Sequence, residues 1–187
     1  MPLQSKAASS SALGNLPLAM ADISGSSLDW HKLGSRSIQP SVAWKQWLFD
    51  SGSLTQLLIE KSHSNFRVEV VSQQWITLPS AAVRSGFGPL SASHNFWSRK
   101  VVLVGNDKPW VLAHTLIPKY SLDSPLASVL ELNEKPLGEY LFSHPDLIRS
   151  GMDITCFGSN SWGRRSLFYL FEKPIMVAEF FLPSILD

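Results

Sequence analysis

Apolar and polar positions alternate with a period of two along several stretches of the chain, which predicts β-strands. Residues 66–70 alternate cleanly, and residues 98–104 and 110–117 lie on either side of a turn at 105–108. Three further strands are predicted at about 147–157, 164–172 and 174–182. Because neighbouring strands are joined by short turns, the pattern predicts one antiparallel sheet of about six strands.

Helical spacing of apolar residues dominates the part of the chain before these strands. A first helix is predicted to begin at Pro40 and to bury the tryptophans that follow it. The segment Ser53–Gln56 has the form of a capping box and predicts a second helix that begins with Leu54 facing inward. Short helices are also expected after Ser124 and from Pro136. Helices grouped beside a single antiparallel sheet indicate the α+β fold class.

The first 38 residues differ from the rest because serine and glycine are frequent and no hydrophobic period is sustained. We expect residues 1–38 to form a flexible extension without chemistry, and residues 39–187 to form one compact domain. Four apolar residues of the extension are candidates for docking on the domain surface: Leu13, Leu16, Leu18 and Met20. The chain start lacks the basic and then continuously apolar pattern of a secretory signal.

Composition narrows the functional classes. Hydrophobic residues make up 44% and charged residues 17% of the 187 residues, which is typical of a folded domain. A net charge of +1 gives no reason to expect a nucleic-acid partner. No apolar run reaches the roughly 18 residues that a membrane helix needs, so no membrane insertion is expected. The single cysteine, Cys156, rules out an internal disulfide, is consistent with a cytoplasmic location, and is predicted to be a buried structural residue.

Glu179 is the most informative position because it lies within an apolar and aromatic run at 175–183. Strand geometry places it on one face with Ile175, Val177 and Phe181, where an unpaired carboxylate would cost several kcal/mol if buried. Arg99 similarly precedes the apolar run 101–104. One arginine and one glutamate on otherwise apolar strands predict a small enclosed pocket for an organic anion.

The remaining candidates are weaker. The five histidines show no metal-binding spacing, and His114, which lies within a strand pattern, is expected to be a hydrogen-bonded core residue, with pocket lining as the alternative. Arg164 and Arg165 point to opposite faces of a strand, so at most one of them faces the interior. A carboxylate contact and a surface pair are equally compatible with these two arginines. Gly138 marks a place where a ligand or a second backbone can approach closely.

Six segments in order resemble the chorismate pyruvate-lyase family. The segments are Phe96–Leu103, Lys108–Trp110, Thr115–Pro118, Pro136–Phe142, Trp162–Ser166 and Glu179–Pro183. The resemblance covers roughly residues 40–187, and the spacing between the segments fits as well as the segments themselves. It implies an antiparallel sheet with helical flaps over an internal site, and the elimination of pyruvate from chorismate to give 4-hydroxybenzoate for ubiquinone biosynthesis.

The resemblance also implies site residues. Arg99 would bind the ligand carboxylate and Glu179 would meet the ring hydroxyl, both with a part in catalysis, while Leu137 and Leu54 would complete the substrate site. It implies no cofactor and no metal, and we expect a monomer whose partners are chorismate and 4-hydroxybenzoate. The chain departs from some relatives at Ala113-His114, where they carry Gly-Arg, which affects the expected pocket lining more than the chemistry.

Two other functions use the same features differently. A non-catalytic sensor domain of the same fold would bind a small aromatic acid, but such sensors normally follow a DNA-binding helix-turn-helix, which the serine-rich start does not resemble. A carrier with an aromatic pocket would need neither Arg99 nor Glu179, and it would bind neutral apolar ligands as readily as acids. The serine-rich start therefore favours the enzyme over the sensor.

Overall fold

A computed structural model of the protein describes residues 16–17, 22–24, 28–78, 80–123 and 125–187. Within them the chain forms a single antiparallel sheet of eight strands. The strands are β1 (His31–Lys32), β2 (Phe66–Thr77), β3 (Asn95–Gly105), β4 (Lys108–Pro118), β5 (Ile148–Arg149), β6 (Asp153–Phe157), β7 (Ser161–Leu170) and β8 (Lys173–Phe181). Their order across the sheet is β1-β6-β7-β8-β4-β3-β2, and β5 pairs with β7.

Four α-helices and three 3-10 segments accompany this sheet in the described part of the chain. The helices are α1 (Val42–Leu48), α2 (Leu54–Lys61), α3 (Ala81–Ser85) and α4 (Leu137–Phe142), and the 3-10 segments are Lys119–Leu122, Pro125–Glu131 and Pro183–Leu186. The α+β prediction is therefore confirmed. None of the helices in the described residues is long and apolar enough to cross a membrane.

Tight turns fix the register of the central strands. Asn106 and Asp107 join β3 to β4 with φ angles of 51° and 60°. Asn and Asp adopt this left-handed conformation more readily than most residues, which suits a two-residue hairpin turn. The resulting register places Arg99 opposite Thr115 and Val101 opposite Ala113. The predicted hairpin is confirmed, and it sets which residues of the two strands share a face.

The sheet buries side chains on both faces. One face packs against α1 and α2 through residues such as Trp44, Leu58 and Phe181. The opposite face forms a second cluster around Phe96 and Phe180. Burial on both faces explains why the central strands contain nearly continuous apolar runs. It also allows a polar residue on either face to be enclosed.

The strand count exceeds the expected six because two strands are only two residues long. The predicted strand at about 147–157 divides into β5 and β6, and β1 lies within the segment expected to be an extension. In the described residues of that segment Ile23 is 1% exposed and packs in the core, and Leu16 packs against the same cluster. Leu13, Leu18 and Met20 lie outside the described residues, as does Ser124, the expected start of a short helix.

Two local predictions were wrong. The first helix begins at Val42, with Ser41 as its N-cap, rather than at Pro40. Cys156 is exposed rather than buried. It lies on β6 beyond the two residues that pair with β1, so β1 does not extend alongside it. By contrast, Ser53 caps α2 as expected, because its Oγ accepts a hydrogen bond from the backbone N–H of Gln56.

Candidate active site

A cavity of about 50 Å³ lies between one face of the sheet and the helices α2 and α4. Its floor consists of side chains from β3, β4 and β8, including Val101, Ala113 and Val177. Its roof includes Leu54 and Leu137. Most of the side chains that line the cavity are apolar. The site is therefore small, enclosed and mostly apolar.

Arg99 projects from β3 into this cavity and is only 2% exposed. Its Nη2 donates hydrogen bonds to the backbone oxygens of Asn133, at 2.6 Å, and Lys135, at 3.2 Å. Its Nε is buried and finds no hydrogen-bond partner among the described residues. Burial lowers the pKa of Arg99 below the ordinary arginine value. The guanidinium is thus held by one edge while a second donor remains unused.

Glu179 lines the same cavity from β8, with a side chain that is 15% exposed. Its Oε2 accepts a hydrogen bond from the Nε of Arg164 at 2.5 Å. Val177, two residues earlier, lines the cavity beside it, as the strand phase predicted. The cation that an enclosed carboxylate needs is supplied by the neighbouring strand.

The sheet register relates Arg99 to Glu179. Arg99 lies opposite Thr115, and Thr115 lies opposite Val177 on the next strand. Two strand spacings across the sheet and two residues along β8 place the Cα atoms of Arg99 and Glu179 roughly 12 Å apart. Both side chains line the same cavity from strands that are separated by β4.

Arg164 is the one of the two adjacent arginines that contacts the site, a choice that the sequence analysis left open. It is 1% exposed, and the register places it directly opposite Glu179 on the adjacent strand. Its Nη1 donates to the backbone oxygens of Trp47, at 2.8 Å, and Asp50, at 2.7 Å. Arg165 faces the other side of the sheet, where it contacts Asp153 and the ring of Trp30. Alternation predicted that only one arginine could face inward, and pairing with Glu179 decides which.

Arg149 adds a further cation beside the site. It lies on β5, where its Nε donates to Ser166 Oγ at 3.0 Å and its guanidinium stands 5.0 Å from the ring of Phe168, a cavity residue. Burial lowers the pKa of Arg149, and the carboxylate of Glu179 opposes that shift. The strand containing it was predicted, but a two-residue strand gives no sequence signal that Arg149 faces the site.

The roof of the cavity depends on contact between α2 and α4. Leu54 and Leu137, both expected to be site residues, are buried and line the cavity from these two helices. Gly138 lies against Thr55, and a Cβ on the glycine would overlap the threonine Oγ1. The close approach predicted for Gly138 is therefore between two protein elements.

His114 faces away from the cavity. Its Nδ1 accepts a hydrogen bond from the backbone N–H of Ile23 at 3.1 Å, and its Nε2 lies 2.9 Å from Ser98 Oγ. The histidine is a hydrogen-bonded core residue, and pocket lining, the alternative, is wrong. The chain differs from some relatives at Ala113 and His114, and of these two residues only Ala113 lines the cavity. Within the described residues no group of three His, Cys, Asp or Glu side chains is placed to hold a metal ion.

An antiparallel sheet with an enclosed, mostly apolar cavity lined by Arg99 and Glu179 defines an α+β domain with an internal site. The family model for chorismate lyase matches residues 26–187. The chain therefore belongs to the chorismate lyase family.

Relatives at the level of sequence agree with this assignment. The chorismate pyruvate-lyase of Hamiltonella defensa subsp. Acyrthosiphon pisum is 32% identical over 166 residues, which cover 84% of this chain and 86% of the relative. That of Sodalis glossinidius is 36% identical over 150 residues, covering 79% of this chain and 81% of the relative. Each aligned stretch spans most of both proteins.

A similar fold also occurs in a solved structure. The effector domain of PhnF from Mycobacterium smegmatis superimposes with a TM-score of 0.51 at 12% identity, over 78% of this chain and 93% of that domain. Identity this low shows a shared fold alone. It therefore lends no support to the sensor alternative for this protein.

Proposed function

We propose that this protein is a chorismate pyruvate-lyase that converts chorismate into 4-hydroxybenzoate and pyruvate, and so supplies 4-hydroxybenzoate for ubiquinone biosynthesis. The observation that carries the proposal is the placement of Arg99 and Glu179 on one enclosed cavity in a chain of the chorismate lyase family. A carrier of neutral apolar ligands would not need that pair of charged residues.

The reaction itself requires little from the protein. The ether bond between the ring and the enolpyruvyl group breaks, and the ring carbon that bears the hydroxyl loses its hydrogen as a proton. The departing enolpyruvate takes up a proton and becomes pyruvate, while the ring becomes aromatic. Aromatisation makes the reaction strongly downhill, so a site that holds a reactive conformer and excludes water is sufficient. These steps do not call for a metal, a cofactor or a covalent intermediate.

Arg99 binds the ring carboxylate in this proposal. Its Nη2 is already fixed by the carbonyls of Asn133 and Lys135, while the buried Nε has no partner among the described residues. An anionic oxygen would satisfy that donor and would offset the cost of burying the guanidinium. The planar fork of arginine suits a carboxylate better than the single ammonium of lysine does.

Glu179 accepts a hydrogen bond from the ring hydroxyl at the other end of the ligand. Because its Oε2 is occupied by Arg164, the contact with the ligand falls to Oε1. The carboxylate is also near the ring carbon that loses its proton in this arrangement, so it is the candidate general base. Glu179 thus combines substrate recognition with proton transfer.

Leu54 and Leu137 enclose the ring from above. Leu54 on α2 and Leu137 on α4 cover the cavity, so in this proposal the two helices act as flaps that separate to admit the substrate and close over it. Closure removes water from both charged contacts and strengthens them. The flat aromatic product is held by the same contacts, and its release is expected to be slow.

Turnover of chorismate by the purified protein, treated beforehand with a chelator, tests the proposal. Equimolar formation of 4-hydroxybenzoate and pyruvate is the expected result, and the variant Glu179→Gln is the matched control for a site-dependent reaction. Tight binding of 4-hydroxybenzoate without turnover would overturn the proposal in favour of a sensor or carrier.

A further inference from the structure

Arg164 makes more contacts than the pairing of one carboxylate requires. Its Nε donates to Glu179 Oε2, and its Nη1 donates to the backbone oxygens of Trp47 and Asp50. Its guanidinium also stands 5.5 Å from the centre of the Phe181 ring. The Arg164 side chain makes these contacts while it is only 1% exposed. One side chain therefore binds three acceptors on two separate parts of the fold.

The two carbonyl groups belong to the end of α1 and the residues just after it. The last carbonyls of a helix lack partners within the helix, and a buried arginine can satisfy them. Three residues beyond Asp50, the chain reaches Ser53, the N-cap of α2. The helix α2 contributes Leu54 and Thr55 to the cavity roof. Arg164 thus connects Glu179, on the floor, with the segment from which the roof begins.

The contact at Oε2 also determines what the other oxygen of Glu179 can do. Among the described residues no hydrogen bond reaches Oε1. A carboxylate held at one oxygen by a rigid planar donor cannot turn freely about its terminal bond. The free oxygen is therefore presented in one direction, and Glu179 lines the cavity.

We propose that Arg164 is a positioning residue that sets the preference of the site for a ring bearing a hydroxyl opposite its carboxylate. It does so by fixing the Glu179 carboxylate while anchored to the α1–α2 connection. The inference rests on the proposed role of Glu179 in the reaction. Lysine at position 164 would keep the charge, but its single ammonium cannot satisfy the same three acceptors in one plane.

A purely structural role for Arg164 makes a different prediction. If the side chain only held α1 against the sheet, its replacement would loosen the cavity and lower the affinity for every ligand alike. If the side chain positions Glu179, its replacement lowers the affinity for ligands that carry the hydroxyl and leaves the affinity for ligands that lack it unchanged. The pair 4-hydroxybenzoate and benzoate separates the two cases, because the acids differ only in that hydroxyl.

The experiment measures the dissociation constants of both acids by calorimetry for the wild type, Arg164→Lys and Arg164→Met. Arg165→Lys is the matched control, because it alters the adjacent arginine on the opposite face of the sheet. We expect Arg164→Lys to reduce the preference for 4-hydroxybenzoate over benzoate about tenfold, the scale of one charged hydrogen bond. The affinity for benzoate should stay within about twofold, and the control should keep the wild-type preference.

An unchanged preference in Arg164→Lys, or an equal loss of affinity for both acids, would overturn the inference. The variant Glu179→Gln separates this outcome from a failure of the proposed function. If Glu179→Gln also keeps the preference, Glu179 does not contact the hydroxyl and its proposed role fails as well. If Glu179→Gln loses the preference and Arg164→Lys keeps it, only the inference about Arg164 fails.

The double variant Arg164→Lys/Glu179→Gln provides a second test that does not depend on the folding of Arg164→Met. Because the arginine acts through the glutamate, the double variant should lose no more preference than Glu179→Gln alone. Additive losses would mean that the two residues act independently, and would contradict the inference.

Discussion

Gly138 of α4 lies so close to Thr55 of α2 that a β-carbon on the glycine would overlap the threonine Oγ1. The backbone at position 138 is not in the left-handed region, so the glycine is needed for proximity rather than for its conformation. Both residues line the roof of the cavity. The distance between the two roof helices is therefore set by the absence of one side chain.

Replacing Gly138 by alanine should force α4 away from α2. We expect the free energy of unfolding to fall by about 1–3 kcal/mol, as for other overpacked sites, and the affinity for 4-hydroxybenzoate to fall with it. Denaturant unfolding and calorimetric titration measure the two effects. Gly151→Ala is the control, because no atom lies within 4 Å of the Cβ it would add. Partial recovery of affinity in Thr55→Ala/Gly138→Ala would show that the threonine is the obstacle, and wild-type affinity in Gly138→Ala would contradict the prediction.

Replacing Arg99 by alanine should impair binding more than turnover. The variant loses the donor proposed for the ligand carboxylate, and we expect KM to rise about tenfold to a hundredfold, the range for lost hydrogen bonds to a charged group. Steady-state kinetics with chorismate give KM and kcat separately. Lys100→Arg is the control, because Lys100 lies on the opposite face and pairs with Asp22. A fall in kcat with an unchanged KM would assign Arg99 a different role.

Glu179→Gln should show the reverse pattern. Glutamine keeps the shape and one acceptor oxygen but cannot take a proton, so we expect kcat to fall at least about a hundredfold, the lower range for a general base. The change in KM should be smaller than the change in kcat. Steady-state kinetics measure both, and near-normal turnover would remove Glu179 from the mechanism.

Much of the fold follows from local signals in the sequence. The Asn106-Asp107 turn and the alternation on either side of it predict the β3–β4 hairpin, and Ser53 predicts the start of α2. The phase of β8 was likewise sufficient to place Glu179 beside Val177. Each of these features depends on residues that are neighbours along the chain.

The inward-facing arginine and the strand β1 could not be predicted in the same way. Side chains alternate along a strand, so Arg164 and Arg165 must face opposite sides of the sheet. Only the register of β7 with β8 identifies Arg164 as the inner residue, because it aligns Arg164 with Glu179. Strand β1 is two residues long and forms because it pairs with β6. Contacts between distant parts of the chain decide both features, and no local period reveals them.

The chain ahead of β1 contacts the other face of the sheet through Asp22 and Ile23. Asp22 pairs with Lys100 and lies 3.3 Å from His114 Nδ1, which also accepts the backbone N–H of Ile23. Burial lowers the pKa of His114, and the neighbouring Asp22 carboxylate opposes this only in part. Burial raises the pKa of Asp22, but the close contact with His114 and the hydrogen bonds from Lys100 and Ser24 outweigh that effect and hold the pKa well below its usual range.

This arrangement predicts that acid destabilises the protein in two stages. The pKa of His114 is lowered in the folded state, so its contribution to stability is fully present above its ordinary value of 6.5 and is lost as the pH falls below it. The contribution of Asp22 is present above its ordinary value of 3.8 and is lost only in stronger acid. Between pH 7.5 and 5 we therefore expect the free energy of unfolding to decrease by up to about 1.4 kcal/mol per pH unit below 6.5 on account of His114.

Denaturant unfolding at several pH values measures this slope in the wild type and in His114→Gln. The variant should be less stable at pH 7.5, because the hydrogen bonds to Ile23 and Ser98 are disturbed. Because glutamine does not titrate, the stability of the variant should vary less between pH 7.5 and 5. His63→Gln is the matched control, because it removes a histidine that is exposed rather than buried. If His114→Gln kept the wild-type slope, protonation of another group would have to account for the loss of stability, and the neutral buried state of His114 would be wrong.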